Sequence, residues 1–319
     1  MKKHNITCLF LCLLFGLCFL ACSNASKQKE SIIEQKKDRT FIMATIPEAL
    51  QTPLDRANYL VEHYWDNFDF TDTAYIHLPN ITEQAMANYI EILPHANKDI
   101  TCMAIKNTLI KAEADSSINT YFLDMYKKYL YDPNSPMRNE EYYIPVLNYI
   151  IESNKTNATD KERANFKLKM LLKNKIGDKA TNFAYTLASG KTGTLYDIKS
   201  EYTIVLFYNP DCHACAEVIA AIKNSNIIND GLENKHLAVL SFYPDADLEI
   251  WKKHLNDIPT YWINGYDKNQ IVQNKKVYDL KAIPTIYLLD KDKKVILKDV
   301  DFVILEKWLF ENKPMVILR

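Results

Sequence analysis

Cys212 and Cys215 are separated by two residues, His213 and Ala214. On a helix that spacing puts the second cysteine about one turn beyond the first, within reach to close a disulfide. Such a pair can exchange electrons with a substrate disulfide. The first thiolate attacks, and the second resolves the mixed disulfide. Attack needs a thiolate, and a free cysteine ionises only near pH 8.5, so the surroundings of Cys212 must favour the charge. The preceding residues supply a reason. Tyr202 to Tyr208 (Y-T-I-V-L-F-Y) is a continuous apolar run, as expected of a central strand buried on both faces. Ala216 to Lys223 reads as a helix. Cys212 then falls at a helix start, where free N–H groups and the helix dipole stabilise a thiolate. His213, when protonated, adds a positive charge there and shifts the couple towards oxidising. Asp211 acts in the opposite sense, because a carboxylate disfavours a nearby thiolate.

The elements that must position this pair belong to residues 176–319. Leu237 to Tyr243 is a second buried strand, and Asp247 to Leu255 and Lys268 to Tyr278 read as helical. Thr285 to Leu289 and Lys293 to Leu297 are strands joined at Asp290-Lys291-Asp292, and Ile304 to Phe310 closes with a helix. Strands alternating with helices argue an α/β sheet. Residues 46–175 carry a different period and predict an all-helical domain. Leu60, Tyr64 and Phe68 recur at helical spacing after Pro53, Thr82 opens a second helix, and Met103 to Ala114 and Ile118 to Leu130 follow. Asp132-Pro133-Asn134-Ser135-Pro136 breaks the chain, after which Tyr142 to Ile151 and Ala164 to Leu172 complete the bundle. The 20 tyrosines, several of them in this half, suggest a core tiled with half-buried rings. Cys102 stands alone in this half and reads as a core thiol, with a third redox thiol as its rival.

Residues 1–21 read as an address. Lys2 and Lys3 precede an apolar run from Ile6 to Ala21, too short for a permanent membrane span. Leu20-Ala21-Cys22-Ser23 resembles the bacterial lipoprotein signal, which implies that Cys22 is lipidated and holds the protein to a membrane surface. Residues 22–45 are the lipidated cysteine and a polar tether. Cys8, Cys12 and Cys18 leave with the signal, so the folded part keeps Cys102, Cys212 and Cys215. These are too few for a disulfide scaffold, in a cell-envelope compartment where disulfides persist.

Phe207-Tyr208-Asn209-Pro210-Asp211-Cys212-His213-Ala214-Cys215 resembles the active-site segment of thioredoxin-like proteins. Ala282-Ile283-Pro284-Thr285 resembles that family's cis-proline loop, and Gly177 to Phe183 the opening of its exported, cytochrome-maturation branch. Trp262 to Asp267 is similar to membrane-anchored members from Bacteroidetes, which often carry a helical domain of uncharacterised function first. The resemblance implies a central mixed sheet flanked by helices, with Pro284 against the dithiol and the Ile283 backbone pairing with a substrate strand. It also implies thiol–disulfide exchange with protein thiols and a redox partner protein, without a bound cofactor. Four positions depart from the family: Asp211 replaces its Trp, Ala214 its Pro, Leu206 its buried carboxylate and Val218 an acid near the second cysteine.

Other chemistries meet specific obstacles. With 39 Lys plus Arg against 40 Asp plus Glu, the chain has no basic excess to meet a nucleic-acid backbone. Six glycines form no dinucleotide fingerprint, and Tyr185 stands where a P-loop ending at Gly190-Lys191-Thr192 needs glycine. Ala216 occupies the histidine position of a haem-attachment motif. Val205 and Asn209 replace the Pro and Thr of a peroxidatic site. Cys212, His213 and Cys215 supply at most three clustered zinc ligands, with His236 or His254 distant. The expected activity is therefore a membrane-anchored, extracytoplasmic thiol–disulfide oxidoreductase. The alternative is a binding module in which the helical domain recognises a partner and the rest is scaffold.

Overall fold

The computed structural model describes residues 39–312. The signal segment 1–21, Cys22 and the tether up to residue 38 lie outside the described residues. Among the described residues, no helix is long and apolar enough to cross a membrane.

Apolar residues at helical spacing fold 53–171 into α1 (Pro53–His63), α2 (Pro79–Ile92), α3 (Lys98–Ala112), α4 (Ser116–Leu130), α5 (Glu140–Glu152) and α6 (Ala158–Leu171). Polar first turns carry several helices further towards the N-terminus than apolar spacing alone indicated. α2 starts on Pro79, whose missing N–H is harmless in a first turn. Thr82, expected to open that helix, is instead buried within it, its hydroxyl 3.1 Å from the Tyr75 and Leu78 carbonyls. α6 starts at Ala158 because the Asn157 side chain accepts the Asp160 N–H at 2.9 Å.

The helical core is aromatic. Phe122 of α4 is fully buried, with ring centroids 5.0, 5.5 and 5.2 Å from those of Trp65, Phe68 and Phe70. Tyr64, Tyr89 and Tyr126 are almost wholly buried, more deeply than the half-buried rings expected. The Tyr64 hydroxyl donates to the Ala85 carbonyl at 3.0 Å. Within residues 39–45, read as the end of the tether, Phe41 lies against this core while Ile42 and Met43 are exposed. Phe41 stacks on Tyr64 at 5.0 Å and Arg39 pairs with Asp72 at 2.7 Å.

The C-terminal part is one seven-stranded mixed sheet. Its strands are β1 (Ala184–Leu187), β2 (Thr192–Thr194), β3 (Tyr202–Phe207), β4 (Leu237–Tyr243), β5 (Ile263–Tyr266), β6 (Thr285–Leu289) and β7 (Val295–Lys298). The order is β2-β1-β5-β4-β3-β6-β7, with β3, β4 and β5 parallel and the other pairings antiparallel. The helices are α7 (His213–Asn224), α8 (Asn226–Glu233), α9 (Leu248–Lys253), α10 (Ile271–Asn274) and α11 (Phe302–Glu311). The run from Ile204 to Phe207 is fully buried, as a central strand with both faces covered should be. One face packs Ile204, Leu206 and Tyr208 with α7, and the other packs Val205 and Phe207 with Phe183 and Tyr278. Two of the scarce glycines make room for Tyr185 of β1. A Cβ at Gly193 or Gly265, on the strands either side, would come within 2.5 or 2.8 Å of it.

The helix expected over Lys268 to Tyr278 shrinks to α10. Gln270 takes a left-handed conformation (φ 52°), and the buried Asp267 carboxylate accepts the Val272 N–H at 2.7 Å. The connector from α6 pairs with the turn before β7 and with the strand's first residue. Gly177 N–H donates to Val295 O at 2.8 Å, Val295 N–H to Asp178 O at 2.9 Å, and Ala180 N–H to Lys293 O at 2.8 Å.

Candidate active site

Cys212 is the N-cap of α7, directly after the β3 strand and the Asn209-Pro210-Asp211 turn. Its half-buried sulfur accepts the Cys215 N–H at 3.3 Å. A donor aimed at the sulfur is an arrangement a thiolate can use. The same Sγ lies 3.5 Å from the Ile283 carbonyl oxygen. The Ile283–Pro284 peptide is cis, and the loop that carries it runs directly into β6. The structure thus brings Cys212, Cys215 and Ile283 together. Sequence spacing could pair the cysteines but not bring them to a loop about seventy residues on.

Cys215 is fully buried, and its Sγ accepts the Asn209 N–H at 3.5 Å. Burial pushes its thiol up to about 12; the Asn209 N–H opposes this and the Cys212 sulfur reinforces it. At pH 8 such a thiol stays protonated. Iodoacetamide at pH 8 should therefore label Cys212 and leave Cys215 unmodified, read by mass spectrometry of the peptides. Equal labelling would contradict this burial. The raised value also has a sign for stability. The folded chain keeps a proton that the unfolded thiol loses near pH 9. This contribution is therefore present below about pH 9 and is lost as pH rises towards about 12.

A polar layer supports the turn before Cys212. The Asn209 side chain accepts the Asp211 N–H at 3.0 Å and donates to Asp245 at 2.8 Å; Gln273 donates to the other Asp245 oxygen at 3.1 Å. Beneath it, the Asn264 side-chain oxygen accepts from Tyr208, Ser241 and Trp251 at 3.0–3.3 Å. Leu206 occupies the place of the family's buried carboxylate and is fully buried.

A family model described as a domain of unknown function (DUF5106) matches residues 21–174. A crystal structure of a thioredoxin-like protein from Bacteroides caccae is 47% identical over 86% of this chain and 99% of that one, with a TM-score of 0.83. This chain belongs to the thioredoxin-like proteins. Two further structures match less of it. The C-terminal domain of an uncharacterized protein from Bacteroides fragilis is 53% identical, covering 43% of this chain and 98% of its own, with a TM-score of 0.42. The thioredoxin domain of a thiol-disulfide oxidoreductase from Bacteroides vulgatus is 22% identical, covering 43% and 96%, with a TM-score of 0.38. No curated protein matches this thioredoxin-like protein.

Around the dithiol of this thioredoxin-like protein, two histidines take different places. His213 projects into solvent, its side chain 89% exposed, with Nδ1 3.5 Å from Glu217 one turn along α7. Its charge, when present, is met first by that carboxylate. His254 lies closer to the turn. Its Nε2 is 3.6 Å from Asp211 and its Nδ1 is 2.7 Å from Asp257. His254 borders an open cleft of about 270 Å³ along α7, with Tyr208, Pro210, Ala216, Ile219 and Ile258. Sequence reasoning reached His254 only as a remote zinc candidate, and nothing local to it signals this placement. Cys102 is half-buried on α3; burial raises its pKa and nearby Lys98 opposes the rise. Among the described residues, no group of three or more His, Cys, Asp or Glu side chains is arranged to hold a metal ion.

Proposed function

We propose that this protein is a lipid-anchored, extracytoplasmic thiol–disulfide oxidoreductase, with Cys22 carrying the lipid. The observation that supports it is the placement of Cys212 as the α7 N-cap, with a backbone N–H on its sulfur, Cys215 one turn behind and the Ile283 carbonyl in front. In the reducing direction the Cys212 thiolate attacks one sulfur of a protein disulfide. A mixed disulfide forms, and the displaced sulfur leaves as a thiolate and takes a proton. Cys215 then loses its proton and attacks the Cys212 sulfur, which releases the second substrate thiol. Two electrons and two protons pass to the substrate, and the chain is left with a Cys212–Cys215 disulfide. Ile283 and Pro284 shape the groove in which the substrate segment lies, and His213 tunes the thiolate from solvent.

The test is the reduction potential of the pair, measured by equilibrium with glutathione or dithiothreitol buffers. A value near about −270 mV assigns a reductase fed by a membrane electron donor, and one near about −120 mV assigns an oxidant that makes disulfides. If no disulfide forms at any poise, the proposal fails.

A further inference from the structure

The segment leading to the substrate loop is held by the helical domain. Lys173 donates to the Lys276 carbonyl, and Asn174 to the Val277 carbonyl at 2.9 Å. Lys281 then leaves the sheet domain and enters a socket. Its side chain is only 8% exposed, and its ammonium pairs with Glu140 of α5 and, at 3.1 Å, with Asp279. It lies 4.8 Å from the centre of the Tyr131 ring, which is itself stacked on Tyr143 at 4.7 Å. The second Glu140 oxygen is 2.9 Å from Lys298, which also donates to the Leu171 and Lys173 carbonyls. Burial works against each charge, and the partners outweigh it: Glu140 is lowered and Lys281 raised.

The socket is close to the chemistry along the chain. Only Ala282 separates Lys281 from Ile283, whose carbonyl touches the Cys212 sulfur. At about 3.3–3.6 Å per residue, that leaves at most about 7 Å of chain between the anchored residue and the reacting face. A buried lysine without its carboxylate is strongly disfavoured, so the loop cannot leave the socket cheaply. Attachment of the two domains does not by itself require this contact. Lys276 lies 4.8 Å from the centre of the Phe166 ring of α6, outside the socket, and Arg138 pairs with Asp299 at 3.0 Å beside it.

We propose that Glu140 and Tyr131 form a socket for Lys281 that fixes the Ile283–Pro284 loop against Cys212, so that the helical domain sets how well a protein disulfide binds. Glu140 is a positioning residue. It acts on the substrate groove through Lys281 and Lys298, with which it pairs. This deepens the oxidoreductase assignment and rests on it.

The test uses the full chain in detergent, with insulin as the protein disulfide, dithiothreitol as the dithiol electron donor, and glutathione disulfide as the small probe. Glu140→Gln and Lys281→Met should each raise KM for insulin at least fivefold. The rate with glutathione disulfide, and the equilibrium constant with glutathione from which the reduction potential is taken, should stay within twofold of the unaltered chain. Lys281→Met leaves Glu140 paired with Lys298, so it serves if Glu140→Gln fails to fold. Phe166→Ala, which removes the domain contact with Lys276 and touches no socket residue, should leave KM unchanged. An unchanged insulin KM in Lys281→Met, or an equal rise in Phe166→Ala, overturns the socket while the oxidoreductase assignment stands. An unaltered chain that exchanges with neither disulfide overturns both.

Discussion

Cys212→Ser should take protein-disulfide reduction to the rate of dithiothreitol alone, while Cys215→Ser should stop the reaction one step later. The difference comes from their settings. Cys212 is half-buried and reachable, so removing its sulfur removes the attacking atom. Cys215 is fully buried and cannot meet a substrate, so its loss leaves attack intact and resolution absent. A Cys215→Ser chain mixed with an oxidised protein should therefore accumulate a Cys212-linked mixed disulfide, visible on a non-reducing gel and abolished by dithiothreitol. Retained turnover in Cys212→Ser would locate the chemistry elsewhere. Cys102 would then be the next thiol to replace.

The second large effect is on stability. Phe122→Ala should cost about 3–5 kcal/mol, the range for deleting a fully buried aromatic side chain. Phe122 is enclosed by Trp65, Phe68 and Phe70, and each is itself fixed by other rings, so the cavity has little freedom to collapse. A domain of this size has only about 5–15 kcal/mol of net stability, and the melting temperature should fall by on the order of 10 °C or more. Phe310→Ala on α11 is the contrast. That ring is 75% exposed, so its loss should change stability by about 0.5 kcal/mol or less. A loss below about 1 kcal/mol in Phe122→Ala would mean the aromatic cluster is not close-packed.

These two sites differ in how far the sequence announced them. The dithiol sits where the strand and helix patterns placed it, because a run as apolar as Ile204 to Phe207 has few alternatives to a central strand. The aromatic core follows from 3.6-residue spacing for the same reason. Short elements were not legible. β1 and β2 have four and three residues, too few for alternation to show. β5 contains Asn264-Gly265, a dipeptide that reads as a turn. α8 carries Gly231 and polar ends, and no apolar run marks it. The surroundings of the site were hidden for a different reason. Asn209 meets Asp245 across 36 residues and Glu140 meets Lys281 across 141. Contacts at such separations are set by the packed fold, and neither residue carries a local mark of its partner.

The connector between the domains has a further consequence, for self-association. An open sheet offers unpaired N–H and C=O groups at both margins, a template on which a second molecule can add a strand. Here the first residue of β7 and the turn before it are covered by residues 177–180 of the chain's own connector, hydrogen-bonded to residues 293–295. At the opposite margin β2 is only three residues long, too short to nucleate pairing. That arrangement guards against edge-to-edge aggregation. It also makes 177–180 a segment whose loss would expose a sticky margin before it separated the domains.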